Sequence, residues 1–442
     1  MDITVAYVYN GFVATGKNKK TKVSIVKSPK RPRMKIPKIV PDGAMEKVAL
    51  GTLLMRDPLL LGLLCIWVLA TNFAYYVTLV PFGLLHHMRD SVGMSEVAMR
   101  LPLIALTLSG IVAALISGLV FDRVKNTKIR FAVIAVIAAL LAFIAKFSFA
   151  LKSHFTILFA VLGFLLGVQI VLILGVFATN VPSRFKGIFG GAAAGLAYLI
   201  ANMAVAFSSG PAGLGGVNMG LAASCAAAIF LFSGIIKAPY EEPPGVPDGT
   251  LLKALVATLP LAFLIAADSF TFLPLGQSDY GPNPIFFGPA AWMTNGMYHL
   301  LFSVVCGLYY YRWGRHKVVA VAALALLVSA IALYLNLDKD MTKVIHPLYS
   351  MSVGCYTVAL FAMFDEIVPA KRPMLGIALC MILAGWIANP FGVGLSQWVS
   401  STYGLRTLHI VAIIAAAPVF LATLVPIVLA MKAKRLDVGA TD

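Results

Sequence analysis

"GLYYYRWGRHK", residues 307–317, is the stretch on which the fold of this chain turns. An apolar run stops there on three tyrosines, and Arg312, Arg315 and Lys317 follow around a glycine before a second apolar run begins. "GLVFDRVKNTK", residues 118–128, has the same layout of glycine, bulky residues, arginine and further cations. Gly118 and Gly307 lie 189 residues apart in a chain of 442. A second echo has nearly the same spacing: "VPSRFKGIFGG" begins at Val181 and "VPAKRPMLG" at Val368, 187 residues later. Two echoes at one spacing indicate a repeated half.

Composition sets the environment of that repeat. Hydrophobic residues make up 60% of the chain and charged ones only 12%, with a mean hydropathy of +0.90. A soluble domain of this size cannot bury so much apolar surface. About 20 apolar residues span a hydrocarbon core of ~30 Å. Twelve runs qualify: 58–82, 95–121, 129–150, 154–179, 187–208, 217–237, 252–274, 289–311, 318–337, 345–367, 374–397 and 405–431. In lipid the backbone must satisfy its own hydrogen bonds, so each run reads as a helix. The expected fold is an all-α integral membrane protein, with twelve transmembrane helices in two pseudo-repeated six-helix halves.

The halves are 57–237 and 252–431, joined by the Pro- and Gly-rich link 238–251 ("APYEEPPGVPDGT") and followed by a tail, 432–442. Residues 1–56 form a separate basic extension. "ITVAYVYNGFVAT" alternates around Asn10-Gly11, a type I′ turn pair, and predicts a short β-hairpin. The Lys- and Pro-dense remainder suits anionic headgroups, or alternatively a cytoplasmic partner.

The net charge of +17 does not point to nucleic acid, because of its placement. Lys and Arg divide 28 to 7 between the two faces implied by the twelve runs. The richer face holds both termini, which the positive-inside rule assigns to the cytoplasm. A bacterial inner (plasma) membrane is the expected location. The five cysteines all fall inside apolar runs, which argues against a disulfide framework. No nucleotide-binding glycine loop, zinc spacing or nucleophile motif is present, so neither an enzyme nor a cofactor is expected.

Two six-helix halves, with Gly118, Asp122, Arg123 and Lys128 in the second-to-third loop, resemble the major facilitator superfamily. The loop is similar to that family's Gly-x-x-x-Asp-Arg-x-Gly-Arg-Lys signature. Its second copy matches in Gly307, Arg312, Gly314, Arg315 and Lys317, while Lys125, Asn126 and Tyr311 depart from the pattern. The resemblance covers residues 57–431. It implies alternating access, with Asp122 at the N-terminus of the eleventh helix closing the cytoplasmic side. In the second half Arg312 or Arg315 would pair with Asp365 or Glu366.

Ionisable groups at depth are costly and are candidates for function. At 1.5 Å per residue, His299 lies roughly 15 Å into its segment, and Asn295, His299, Ser303 and Cys306 share one helical face. Asp268 lies roughly 24 Å from the inner edge, and Arg100 reaches a similar outer level. The resemblance implies an outer gate for an Arg100–Asp268 pair; the alternative is that Asp268 carries the coupling proton. It also places helices one, four, seven and ten around a cavity flanked by two, five, eight and eleven. Asn72, Tyr75, Tyr76, Gln169, Asn295, His299, Trp386 and Asn389 are the candidate cavity residues. No cluster of midplane cations appears, so a small polar or amphipathic solute is expected, handled by a monomer in the bilayer and coupled to protons by symport.

Two other readings remain open at the sequence level. Met293, Met297, His86 and His87 admit a copper importer, since thioethers suit Cu(I), although the two methionines share their face with Leu300, Val304 and Leu308. A membrane scaffold, assembly factor or pigment-delivery protein of the same fold would suit the N-terminal extension.

Overall fold

The computed structural model describes residues 57–236, 245–271, 288–335 and 339–439. The expected hairpin and basic extension, the first half of the link (238–244) and the last three residues lie outside these ranges. Among the described residues twelve long helices follow one another. In the first half they are α1 (Asp57–Val77 and its continuation), α2 (Glu96–Phe121), α3 (Thr127–Ser148), α4 (Phe155–Asn180), α5 (Ser183–Phe207) and α6 (Pro211–Leu231). In the second they are α7 (Leu251–Thr271), α8 (Pro289–Trp313), α9 (Arg315–Tyr334), α10 (Lys339–Ala362), α11 (Pro373–Tyr403) and α12 (Leu405–Gly439). Nine are long and apolar enough to cross a membrane. The other three, α8, α10 and α12, are interrupted by groups such as Asn295, His299, His346 and His409. The chain is an integral membrane protein.

Helix ends follow local chemistry. Ser95 and Asn126 cap α2 and α3, accepting from Ala98 N (3.3 Å) and Lys128 N (2.9 Å). Gly314 (φ 77°) separates α8 from α9, a left-handed position that suits glycine. At the end of α2 the carbonyls of Phe121 and Val124 accept from Arg130, whose buried guanidinium satisfies groups the helix leaves open.

Three segments differ from the sequence expectation. The first apolar run continues past residue 82 as π-helical turns, Thr78–Leu84 and His87–Ser91. Pro81 lies inside the first of them; a proline lacks an N–H and crowds the carbonyl four residues back, and a widened turn absorbs both without ending the helix. Helix α10 begins at Lys339 rather than at 345, which places His346 about two turns from its N-terminus. Helix α11 changes to π-helical winding at Ile382–Ile387, turning Trp386 inward.

The halves meet chiefly along α5 and α8. Gly187, Gly191 and Gly195 recur every four residues on α5, opposite Gly307, Ser303 and Leu300 of α8. A Cβ on Gly187 would stand 2.7 Å from the Gly307 carbonyl oxygen, so only glycine permits this approach. The echo glycine at 307 thus serves packing between halves as well as the loop beyond it. Val246, in the described end of the link, exchanges backbone hydrogen bonds with Val368 (2.8 Å) and Ala370 (3.0 Å). The link is thereby held against the α10–α11 turn. That turn and the α2–α3 and α8–α9 loops share one face, called the basic face below.

Candidate functional site

Two groups of polar contacts cross the seam between the halves, one within the helical core and one at the basic face. The first centres on Asn295 of α8. Its Nδ2 donates to Asn202 Oδ1 of α5 (2.9 Å), and its Oδ1 faces His346 Nε2 (2.9 Å) and accepts from Ser350 Oγ (3.1 Å), both on α10. A turn further along α8, the buried ring of His299 stacks on Tyr198 of α5 at 4.4 Å and meets the edge of Tyr349 of α10. His299 Nδ1 and Ser303 Oγ have no hydrogen-bond partner. Tyr198 bonds Thr357 across the seam (3.2 Å), and Phe73 of α1 packs edge-on against it.

Asp268 of α7 joins this group through α10. Its Oδ2 accepts from Tyr356 Oη at 2.6 Å, and Tyr349 also interacts with it. Its Oδ1 is buried and without a partner. The expected Arg100 contact is not made: Arg100 is exposed on α2, and the ion pairs found among the described residues are Arg89–Asp90 and Lys186–Asp365. Asp268 faces α10, where a tyrosine hydroxyl meets the carboxylate in place of a cation.

The other cavity candidates separate into different settings. Tyr76 of α1 and Trp386 of α11 face each other across the halves, with ring centroids 6.5 Å apart. Asn72 and Gln169 are buried, and Asn72 Nδ2 and Gln169 Oε1 lack partners. Asn389 is half-buried on α11 beyond the π-helical turn. Tyr75 points away from the seam and donates to Leu141 O of α3 (2.8 Å). Met293 and Met297 lie exposed on the far side of α8 from His299. His86 and His87 are held by the carbonyls of Phe82 and Leu151. Among the described residues no three metal-binding side chains come together.

At the basic face, Asp122 reaches from the end of α2 to the start of α11. Its Oδ1 accepts from Met374 N (2.7 Å) and its Oδ2 from Leu375 N (3.3 Å). Arg372, at the N-cap of α11, supplies no side-chain bond, so Asp122 caps that helix from the other half. Gly118 allows the contact, since a Cβ there would come within 2.9 Å of Leu375 Cα. Burial raises the Asp122 carboxyl above its ordinary pKa; the two N–H groups, Arg130 and Arg372 oppose that rise.

The second contact corrects the expected pairing of Arg312 or Arg315 with the α10–α11 acids. Asp365 instead receives Lys186 Nζ (2.9 Å) and Ser183 Oγ (2.6 Å), both from the first turn of α5. Glu366 accepts from Tyr310 Oη at 3.3 Å, and burial raises its pKa. Arg312 and Arg123 are exposed, and Arg315 is half-buried beside His316. The acids face α5 because the α5–α8 glycine seam draws the first turn of α5 beneath the end of α10.

Tyr198, Asn202, His346, Tyr349, Tyr356 and Lys186 join these groups without a mark in the sequence. His346 was hidden by the late start assigned to its helix. Lys186 lies in "VPSRFKGIFGG", where the echo at residue 368 is the visible signal and a lysine near a helix start reads as an interfacial cation. The tyrosines are uncharged and carry no periodic signal that separates them from packing.

No family model matches the chain, and no curated protein sequence matches it. Solved structures do. The human organic anion transporter MFSD10 (TETRAN) matches with TM-score 0.61 at 13% identity, over 83% of this chain and 100% of that one. A bacterial homologue of the iron transporter ferroportin, in the outward-facing state, matches with TM-score 0.62 at 13% identity, over 84% and 99%. The major facilitator superfamily proton:xylose symporter XylE matches with TM-score 0.61 at 14% identity, over 82% and 94%. The chain has the fold of the major facilitator superfamily.

Proposed function

We propose that this chain is a secondary active transporter that moves a small polar or amphipathic solute by alternating access between its six-helix halves. The observation that carries the reading is the buried polar group spanning α5, α7, α8 and α10 at the seam, with hydrogen-bonding capacity left over at Asp268 Oδ1, His299 Nδ1 and Ser303 Oγ. Unsatisfied buried polar atoms cost stability, and a solute or proton entering the seam would relieve that cost. In this reading Asn295, His299 and Tyr198 bind the solute and Asp268, with Tyr356, takes up the coupling proton. The named functions of the structural neighbours, which handle organic anions, iron and xylose with protons, support the class and not a substrate. The Asp122 and Lys186–Asp365 contacts would hold the cytoplasmic side closed. The Lys and Arg bias supports placing the basic face and both termini in the cytoplasm of a bacterial inner membrane.

The test is uptake into proteoliposomes across a panel of sugars, nucleosides, amines and small acids, with and without an imposed pH gradient. Gradient-dependent accumulation of one class is the expected result. No uptake of any class, together with co-purification in a large membrane complex, would replace transport with a role in assembly.

A further inference from the structure

We propose that a groove between α7, α9 and α12 at the basic face binds an anionic phospholipid. The phosphate would sit against Lys253, Arg315 and His316, and an acyl chain would run along the groove toward the membrane centre. The groove has a volume of about 490 Å³ and opens on the lipid-facing surface. Its polar end is formed by Lys253, in the first turn of α7, and by Arg315 and His316, which begin α9. Its floor is apolar, with Val256, Ala257, Pro260 and Leu261 of α7, Val319 of α9 and Ala422 of α12. From Lys253 to Leu261 the helix rises roughly 12 Å, enough to lay part of an acyl chain beneath a headgroup.

Charge selects the occupant. Among the described residues no Asp or Glu lines the groove. Arg315 Nη2 lies 3.4 Å from His316 Nε2, while its Nη1 is buried without a partner. Arg315 acts electrostatically on Glu366, but among the described residues the two form no ion pair. Lys253 and Arg315 place two positive charges at this end of the groove, and a phosphate is the group that such charge favours. A zwitterionic lipid would bring its own cation toward this basic end, and a free phosphate would leave the apolar floor unused. The fitting ligand is a lipid with net negative charge in the leaflet that the basic face meets. This inference needs only the membrane placement of the chain and is independent of the transport reading.

The experiment is native mass spectrometry of the full chain, titrated in detergent with phosphatidylglycerol or phosphatidylcholine of identical acyl chains. Wild type should retain phosphatidylglycerol preferentially. Lys253→Gln, at an exposed position, should weaken that binding by about fivefold and leave phosphatidylcholine unchanged, the effect of one cation near a headgroup. Ala422→Phe, which fills the groove and leaves every cation in place, should reduce phosphatidylglycerol binding further. Inorganic phosphate at the lipid concentration should not displace the lipid. Equal retention of the two lipids, unchanged phosphatidylglycerol binding in either variant, or displacement by inorganic phosphate would each overturn the proposal.

Discussion

Replacing Asp122 by alanine removes a helix cap supplied by one half of the protein to the other. Met374 N and Leu375 N, in the first turn of α11, would lose the carboxylate oxygens they reach at 2.7 and 3.3 Å. Loss of an N-cap costs about 1–2 kcal/mol, which shifts a two-state ratio by roughly 5- to 30-fold. In the alternating-access reading proposed above, only the form with the basic face closed makes this contact, so the cost would fall on that form alone. Ala178 of α4 reports the opening: it is 4% exposed, and Gly175, one turn earlier, lies against Met374. A single cysteine at Ala178, in a background lacking the five native cysteines, should react faster with a membrane-impermeant maleimide in inside-out vesicles by that factor. Asp122→Asn keeps one acceptor oxygen and should change the rate much less, since asparagine caps about as well as aspartate. The sign of the pH effect follows from burial. The closed form holds the Asp122 proton more tightly than an open, hydrated one, so closure is favoured at low pH and weakens as pH rises through the raised pKa. Labelling in wild type, taken relative to an exposed cysteine control at the same pH to remove the thiolate's own titration, should therefore climb from acidic toward neutral pH, and the alanine variant should lose that slope. Wild-type labelling in Asp122→Ala, or a slope of opposite sign, would refute the capping argument.

Lys186→Met should leave Asp365 without its cation in a site where the two side chains are 5% and 15% exposed. A cost of up to ~3–5 kcal/mol is expected for a well-buried pair, read as the same rise in Ala178 labelling, with partial recovery in the Lys186→Met, Asp365→Asn double variant. Gly307→Leu should drive a side chain into the α5 backbone, where even a Cβ would stand 2.5 Å from Gly187 O. Its melting temperature and monodisperse yield in detergent should both fall, and an unchanged thermal profile would contradict the seam. Asp268→Asn should abolish gradient-driven accumulation and preserve solute exchange, whereas Arg100→Gln should leave both intact because the two residues are not paired. Tyr356→Phe, which deletes the 2.6 Å bond, should shift the pH dependence of uptake without removing exchange.

Much of the fold was legible in the chain itself, for a physical reason. A bilayer requires long apolar runs with internally satisfied backbones, so length and hydropathy alone mark the helices. The echoes at Gly118 and Gly307 then divide them into halves. Asp268, His299 and Asn295 stood out because polar groups are rare and costly at depth. Their partners did not. Whether Asp268 meets Arg100 or Tyr356 depends on how α7 is rotated against α10, and no periodicity within one helix records that rotation. The same holds for Lys186, which reaches Asp365 because the glycines of α5 let it approach α8 closely. Membrane, helices and their repeat are readable along the chain, since they rest on local burial and backbone satisfaction. The pairings across the seam come from the folded arrangement, since they rest on helix rotation and on the distance at which two glycine faces meet.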